Sequence, residues 1–150
     1  MELSKDFSEM KLKLVIDLYK KQYIYMDMTG MCKIFSINIH DSLEKVGIIS
    51  KILNLKEEFC LYEHEVVICM VPEYNKIRYF LIDFTFSQFL QTKITESFEF
   101  INNITFFNKL LENRFVEVDN STIQLYLSLF EFHNSFDLKD FFQEKTNLKK

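Results

Sequence analysis

Leu12, Val15, Ile16 and Tyr19 recur at three- and four-residue steps, with Lys11, Lys13, Asp17 and Lys20 on the other side, so the spacing predicts an amphipathic helix from about Asp6 to Tyr23. The period lapses after Met26 and resumes at Cys32. Ile34 or Phe35, Ile39, Leu43 and Val46 then trace a second helix that stops at Gly47, where a residue free to take positive φ caps it. Thr29 or Gly30 stands at its N-cap, which puts Cys32 in the first turn. The middle of the chain changes to β-branched and aromatic runs. Ile49 to Leu55, Phe59 to Val71 and Ile77 to Asp83 predict strands; Glu57-Glu58 reads as a polar turn, and Pro72 with Glu73 to Lys76 as the turn of a hairpin. Both faces of that hairpin are largely apolar, as expected at the centre of a sheet. Beyond Phe84 to Leu90, helical spacing returns over Phe100 to Glu112, followed by a short extended Phe115 to Val118. Asp119, Asn120 or Ser121 can cap a helix from Thr122 to about Phe132, and a last helix runs from Phe136 to Glu144. No repeat or linker intervenes, so the expectation is one α+β domain over residues 1–150: N-terminal helices, a small antiparallel sheet, then C-terminal helices.

Composition narrows the function classes. With 48% apolar residues the chain can bury a core, and no apolar run approaches the roughly 18–20 residues of a membrane span, so none is expected. The opening Met1 to Asp6 has mixed charge and no apolar stretch behind it, unlike a secretory signal. Eighteen basic against 22 acidic residues, with no cluster larger than a pair such as Lys20-Lys21, speak against nucleic acid as a partner. Cys32, Cys60 and Cys69 match no metal spacing, and Cys60 with His64 finds no second pair to complete a tetrahedral site, so neither metal nor cofactor is expected. Reduced thiols fit the cytoplasm, whether of its own cell or of one into which the protein is delivered. His40 and His133 read as solvated or capping residues. Phe98, Phe100, Phe106, Phe107 and Phe115 read as core, with an apolar groove for a peptide as the alternative.

Thiol catalysis needs a cysteine held as thiolate, a histidine to carry its proton, and a polar group to orient the imidazole. Cys32, His64 and Asp83 offer these in order. A first-turn cysteine faces the positive end of a helix and its free N–H groups, which stabilise a thiolate and can hold an oxyanion. Without catalysis, Cys32 is a core thiol and His64 a strand-end histidine bonded to backbone. The hairpin makes a geometric demand. If Val71 opposes Lys76 across a four-residue loop, His64 falls opposite Asp83 on one face; an odd loop separates them onto opposite faces unless a bulge intervenes.

The run from Tyr79 to Phe89, Tyr-Phe-Leu-Ile-Asp-Phe-Thr-Phe-Ser-Gln-Phe, resembles a segment of small bacterial papain-like proteins, among them the dermonecrotic-toxin-type domain and glutamine-deamidase effectors. Gly30-Met31-Cys32-Lys33 with Ser36, Leu43 and Gly47 is similar to the family's nucleophile helix, and the match extends from Thr29 to Phe89. Phe84 stands where that family often has Pro or a small aliphatic residue. The resemblance implies a papain-like fold with a Cys32-His64-Asp83 triad, Gln88 contributing to the active site, and a protein or peptide substrate attacked at an amide. The activity it implies is that of a peptidase, a glutamine deamidase or a transglutaminase-like acyl transferase. The alternative is a papain-like domain without turnover, or a module that binds peptides or proteins through its aromatic residues.

Overall fold

The computed structural model describes residues 2–22, 32–59, 64–90 and 92–148, with side chains over 9–21, 32–59, 64–90 and 92–143. Thr29, Gly30 and Cys60, to which the sequence assigns roles above, lie outside the described residues.

Helix α1 spans Glu2–Gln22 and α2 spans Cys32–Lys45. The end of α2 is set by Gly47 at φ 84°: its N–H reaches Glu44 O at 3.0 Å and the Ile48 N–H reaches Leu43 O at 2.9 Å, while Leu43 and Ile48 share one apolar cluster. A Cβ added at Gly47 would meet nothing within 4 Å, so the only penalty of a side chain there is its backbone conformation. Gly47→Ala is therefore expected to destabilise by about 1 kcal/mol, read as a lower denaturant midpoint at unchanged slope.

Strands β1 (Ile49–Asn54), β2 (Glu65–Glu73), β3 (Lys76–Ile82) and β4 (Phe115–Val118) form a four-stranded antiparallel sheet in sequence order. The sheet is covered on both faces. On one side Val67, Cys69, Val71, Phe80 and Ile82 meet α1 and α2 through Leu12, Ile16, Phe35, Ile39 and Leu43. On the other, Leu53, Val66, Ile68, Leu81 and Val118 meet α5 (Ile104–Asn113), α6 (Asn120–Ser128) and α7 (Leu138–Leu148) through Phe107, Leu110, Ile123, Tyr126 and Phe141. Two buried faces explain why β2 reads as an unbroken apolar run.

Several boundaries differ from the periodicity. Leu55–Phe59 is a short helix, α3, rather than the junction of two strands: Asn54 Oδ1 caps the Glu57 N–H at 3.0 Å, and Glu57 and Glu58 sit at the favourable N-terminal end. Strand β2 accordingly starts at Glu65. Pro72 lies inside β2, paired with Ile77, and the turn is Tyr74-Asn75. The strand tolerates it because β1 pairs only as far as Met70, leaving Pro72 beyond that ladder where no N–H is demanded. The expected helix over Phe100 to Glu112 is broken at Asn102-Asn103 into α4 (Phe98–Ile101) and α5, with Asn103 at the non-helical N-cap. Asp119 is the residue that caps α6, through a reciprocal pair of bonds with Thr122.

The Phe-rich stretch supplies core. Phe100 and Phe107 are buried, Phe106 is partly so, Phe115 packs against the other cluster, and only Phe98, 76% exposed, points outward.

Candidate active site

Cys32 is the first residue of α2, half-buried, with no acidic side chain in the first turn to offset the positive helix end. Phe84, directly after Asp83, stacks on Phe35 of α2 at 5.2 Å and meets Tyr19 of α1 edge-on at 6.1 Å. This aromatic contact ties α2 to the end of β3 and accounts for a large ring at position 84.

His64 immediately precedes β2, its carbonyl accepting the Leu55 N–H at 2.9 Å, and Asp83 immediately follows β3, its N–H donating to Arg114 O at 2.9 Å. The β2–β3 hairpin has a two-residue loop rather than four, so its register is shifted by two positions from the one expected. An even shift preserves parity. His64 and Asp83 thus stay on one side of the sheet, diagonal to each other, and His64 Nε2 lies 2.9 Å from Asp83 Oδ2 with both side chains fully buried. The imidazole is held by Phe89, edge-on at 4.9 Å, and Phe130, stacked at 5.7 Å.

Among the described residues, only donors approach Asp83. Oδ2 accepts from His64 and from the Tyr126 hydroxyl at 2.6 Å, while Oδ1 accepts from the Thr85 N–H at 3.2 Å and, more weakly, from Thr85 Oγ1 at 3.5 Å. Gln88 Nε2 donates to Thr85 Oγ1 at 3.0 Å. Gln88, which the resemblance assigns to the active site, therefore reaches Asp83 through Thr85 and is not among the residues lining the cleft at Cys32.

With Nε2 committed to Asp83, Nδ1 is the ring nitrogen that serves Cys32. Nδ1 makes no full hydrogen bond among the described residues, yet Cys32 and His64 perturb each other's pKa. Burial pushes the Cys32 thiol up, but the His64 ring, the Glu65 backbone N–H and the His64 charge outweigh it and leave the thiol more acidic than usual. Burial alone would lower the His64 pKa. The charge and hydrogen bond of Asp83, helped by Cys32, instead raise it to about 9. The two shifts act in the same direction, toward a thiolate–imidazolium pair. Cys69, buried in the sheet, is the opposite case, with its thiol pushed up to about 12.

Cys32 and His64 open onto a cleft of about 290 Å³ whose walls include Asn54, Lys56, Glu57 and Glu65. Glu65 accepts from Asn54 Nδ2 at 2.7 Å through Oε2, and its buried Oε1 has no partner among the described residues. A larger hollow of about 680 Å³, lined by Glu58, Phe59, Gln124, Phe132 and Asp137 among others, contains neither Cys32 nor His64, which share the smaller cleft. Among the described residues no three His, Cys, Asp or Glu side chains gather as a metal site, and no helix is long and apolar enough to cross a membrane. His40 is occupied elsewhere, with Nδ1 2.7 Å from Ser50 Oγ and Nε2 3.6 Å from Glu44.

Sequence reasoning missed Tyr126. A tyrosine on the inner face of a helix reads as core, and only the need of a buried hydroxyl for a partner hints at more. No family model matches this chain, and no curated protein and no solved structure is significantly similar to it.

Proposed function

We propose that this chain is a papain-like, cysteine-dependent amide hydrolase or acyl transferase, acting as a peptidase or a protein glutamine deamidase. The observation that carries the reading is the buried Asp83–His64 pair at 2.9 Å, whose free ring nitrogen serves a half-buried thiol at a helix N-terminus. The Cys-His-Asp order and the resemblance of Tyr79 to Phe89 to the papain-like segment agree with it.

In the proposed cycle the Cys32 thiolate attacks the amide carbonyl, and the first-turn N–H groups of α2 hold the developing oxyanion. As the C–N bond breaks, His64 Nδ1 delivers its proton to the departing nitrogen, leaving a thioester on Cys32. Water, or an amine in the transferase case, then attacks the thioester, giving its proton to His64 and restoring the thiolate. Asp83 keeps its own charge throughout and fixes the ring. A thiolate of this kind fits a reducing compartment, the cytoplasm or the interior of a recipient cell.

Mass spectrometry of candidate protein substrates, incubated with wild type and Cys32→Ala, tests the proposal. Conversion of a carboxamide to a carboxylate leaves the substrate intact with a small mass change, peptide hydrolysis divides it, and transfer adds the mass of the amine. Each product is expected with the wild type alone; a product formed equally by Cys32→Ala contradicts the assignment of the nucleophile.

A further inference from the structure

We infer that Tyr126 is a positioning residue of the triad, whose hydroxyl shares Oδ2 of Asp83 with His64 and so limits how tightly the imidazole holds its proton. The inference rests on the catalytic reading above and extends it to a residue from a different part of the chain.

The Tyr126 hydroxyl is 2.6 Å from Asp83 Oδ2, shorter than the 2.9 Å from His64 Nε2 to the same atom. A short O–H···O⁻ contact is among the stronger hydrogen bonds, so the two donors compete for one oxygen. Tyr126 cannot turn away. It is fully buried, with Phe86 at 6.0 Å and Phe130 at 5.3 Å, and Phe130 also stacks on His64. Burial and the charge of Asp83 keep its phenol protonated, so it donates throughout the neutral range. The other titratable groups facing the pair are Cys32 from α2 and, from the cleft side, Glu65 of β2 with Lys56 and Glu57 of α3. The 3₁₀ turn at Phe86–Phe89 and the residue before it contribute only the neutral Thr85 and Gln88 and the rings of Phe86 and Phe89. Among the described residues Tyr126 is thus the one side chain besides His64 that donates to Oδ2.

Charge drawn toward the phenol is charge that His64 does not feel. Removing the hydroxyl leaves Oδ2 to His64 alone, and the imidazole should then keep its proton to higher pH. A purely structural tyrosine predicts lower stability and no such change.

The test is the NMR titration of the His64 ring, one of only three histidines in the chain. In Tyr126→Phe the midpoint is expected to rise from about 9 by about one pH unit. In an Asp83→Asn background the same substitution should leave the midpoint unmoved, since its route runs through the carboxylate. Site-specific 3-fluorotyrosine at position 126 keeps the packing and strengthens the donor, so it should move the midpoint downward; it also serves if Tyr126→Phe folds poorly. An unchanged midpoint in both variants, with only the melting temperature altered, overturns the inference. Labelling of Cys32 by iodoacetamide at about pH 6 separates the two claims. If Cys32 reacts there and the midpoint does not respond to Tyr126, this inference alone falls; if Cys32 does not react, the catalytic reading falls and takes the inference with it.

Discussion

Replacing His64 with alanine is expected to slow alkylation of Cys32 at about pH 6 by roughly two orders of magnitude, and to reduce amide turnover by about 10³-fold or more. The imidazole is the main influence that overcomes the burial of the Cys32 thiol, so without it burial raises the thiol pKa with little to oppose it. In the proposed cycle, turnover loses in addition the group that protonates the departing nitrogen. The fold should survive, because Asp83 keeps its bonds from Tyr126 and Thr85. The space left between Phe89 and Phe130 lowers stability by an amount typical of a core truncation, about 2–4 kcal/mol. Circular dichroism separates that loss from the change in reactivity.

Asp83→Asn should be nearly as damaging to turnover, by about 10²–10⁴-fold, with little change in shape. The substitution removes the charge that raises the His64 pKa and leaves burial, which lowers it, unopposed. The NMR midpoint of His64 should fall from about 9 to the ordinary imidazole value or below, so that the ring is neutral at pH 7 and the thiolate loses its counter-ion. The new amide NH2 would either face the Thr85 N–H, a donor, or take the place of Oδ2, where the neutral imidazole or the Tyr126 hydroxyl would have to accept instead of donate. The pH dependence of stability has a definite sign. A histidine whose folded pKa is raised contributes stability that is complete below its unfolded pKa of about 6.5 and fades as pH climbs through about 9. The melting temperatures of wild type and Asp83→Asn should therefore differ most near pH 6 and draw together toward about pH 10.

The parts of the site that depend on local pattern were legible in the sequence. Helical spacing from Cys32 to Gly47 puts the thiol at a helix start, and the runs on either side of residues 72–76 put His64 and Asp83 on one side of a hairpin only if its loop is even or a bulge intervenes. What mattered there was the parity of the loop rather than its length, which is why a two-residue turn leaves the pair together although four residues were expected. Features set by a single side chain were harder to read. The Asn54 cap turns five residues into α3 within what reads as strand, and Asn103 divides a helix whose apolar period continues across the break. Pro72 suggests a turn to any local rule, and only the short reach of β1 explains its place in a strand. Tyr126 left no local trace, since its partner is 43 residues away and the contact exists only once α6 packs on the sheet. Gln88 stands at its expected spacing from Asp83, but the turn after β3 directs its amide to Thr85 rather than to the cleft.

The central claim is that Cys32 is a thiolate sustained by His64, and the most direct measurement is the rate of iodoacetamide labelling of each cysteine in the folded protein at about pH 6. Cys32 should be alkylated selectively in the wild type, Cys69 should resist until the protein unfolds, and the selectivity should vanish in His64→Ala. Labelling of Cys32 no faster than that of an unstructured cysteine peptide at the same pH, or equal rates with and without His64, would contradict the account.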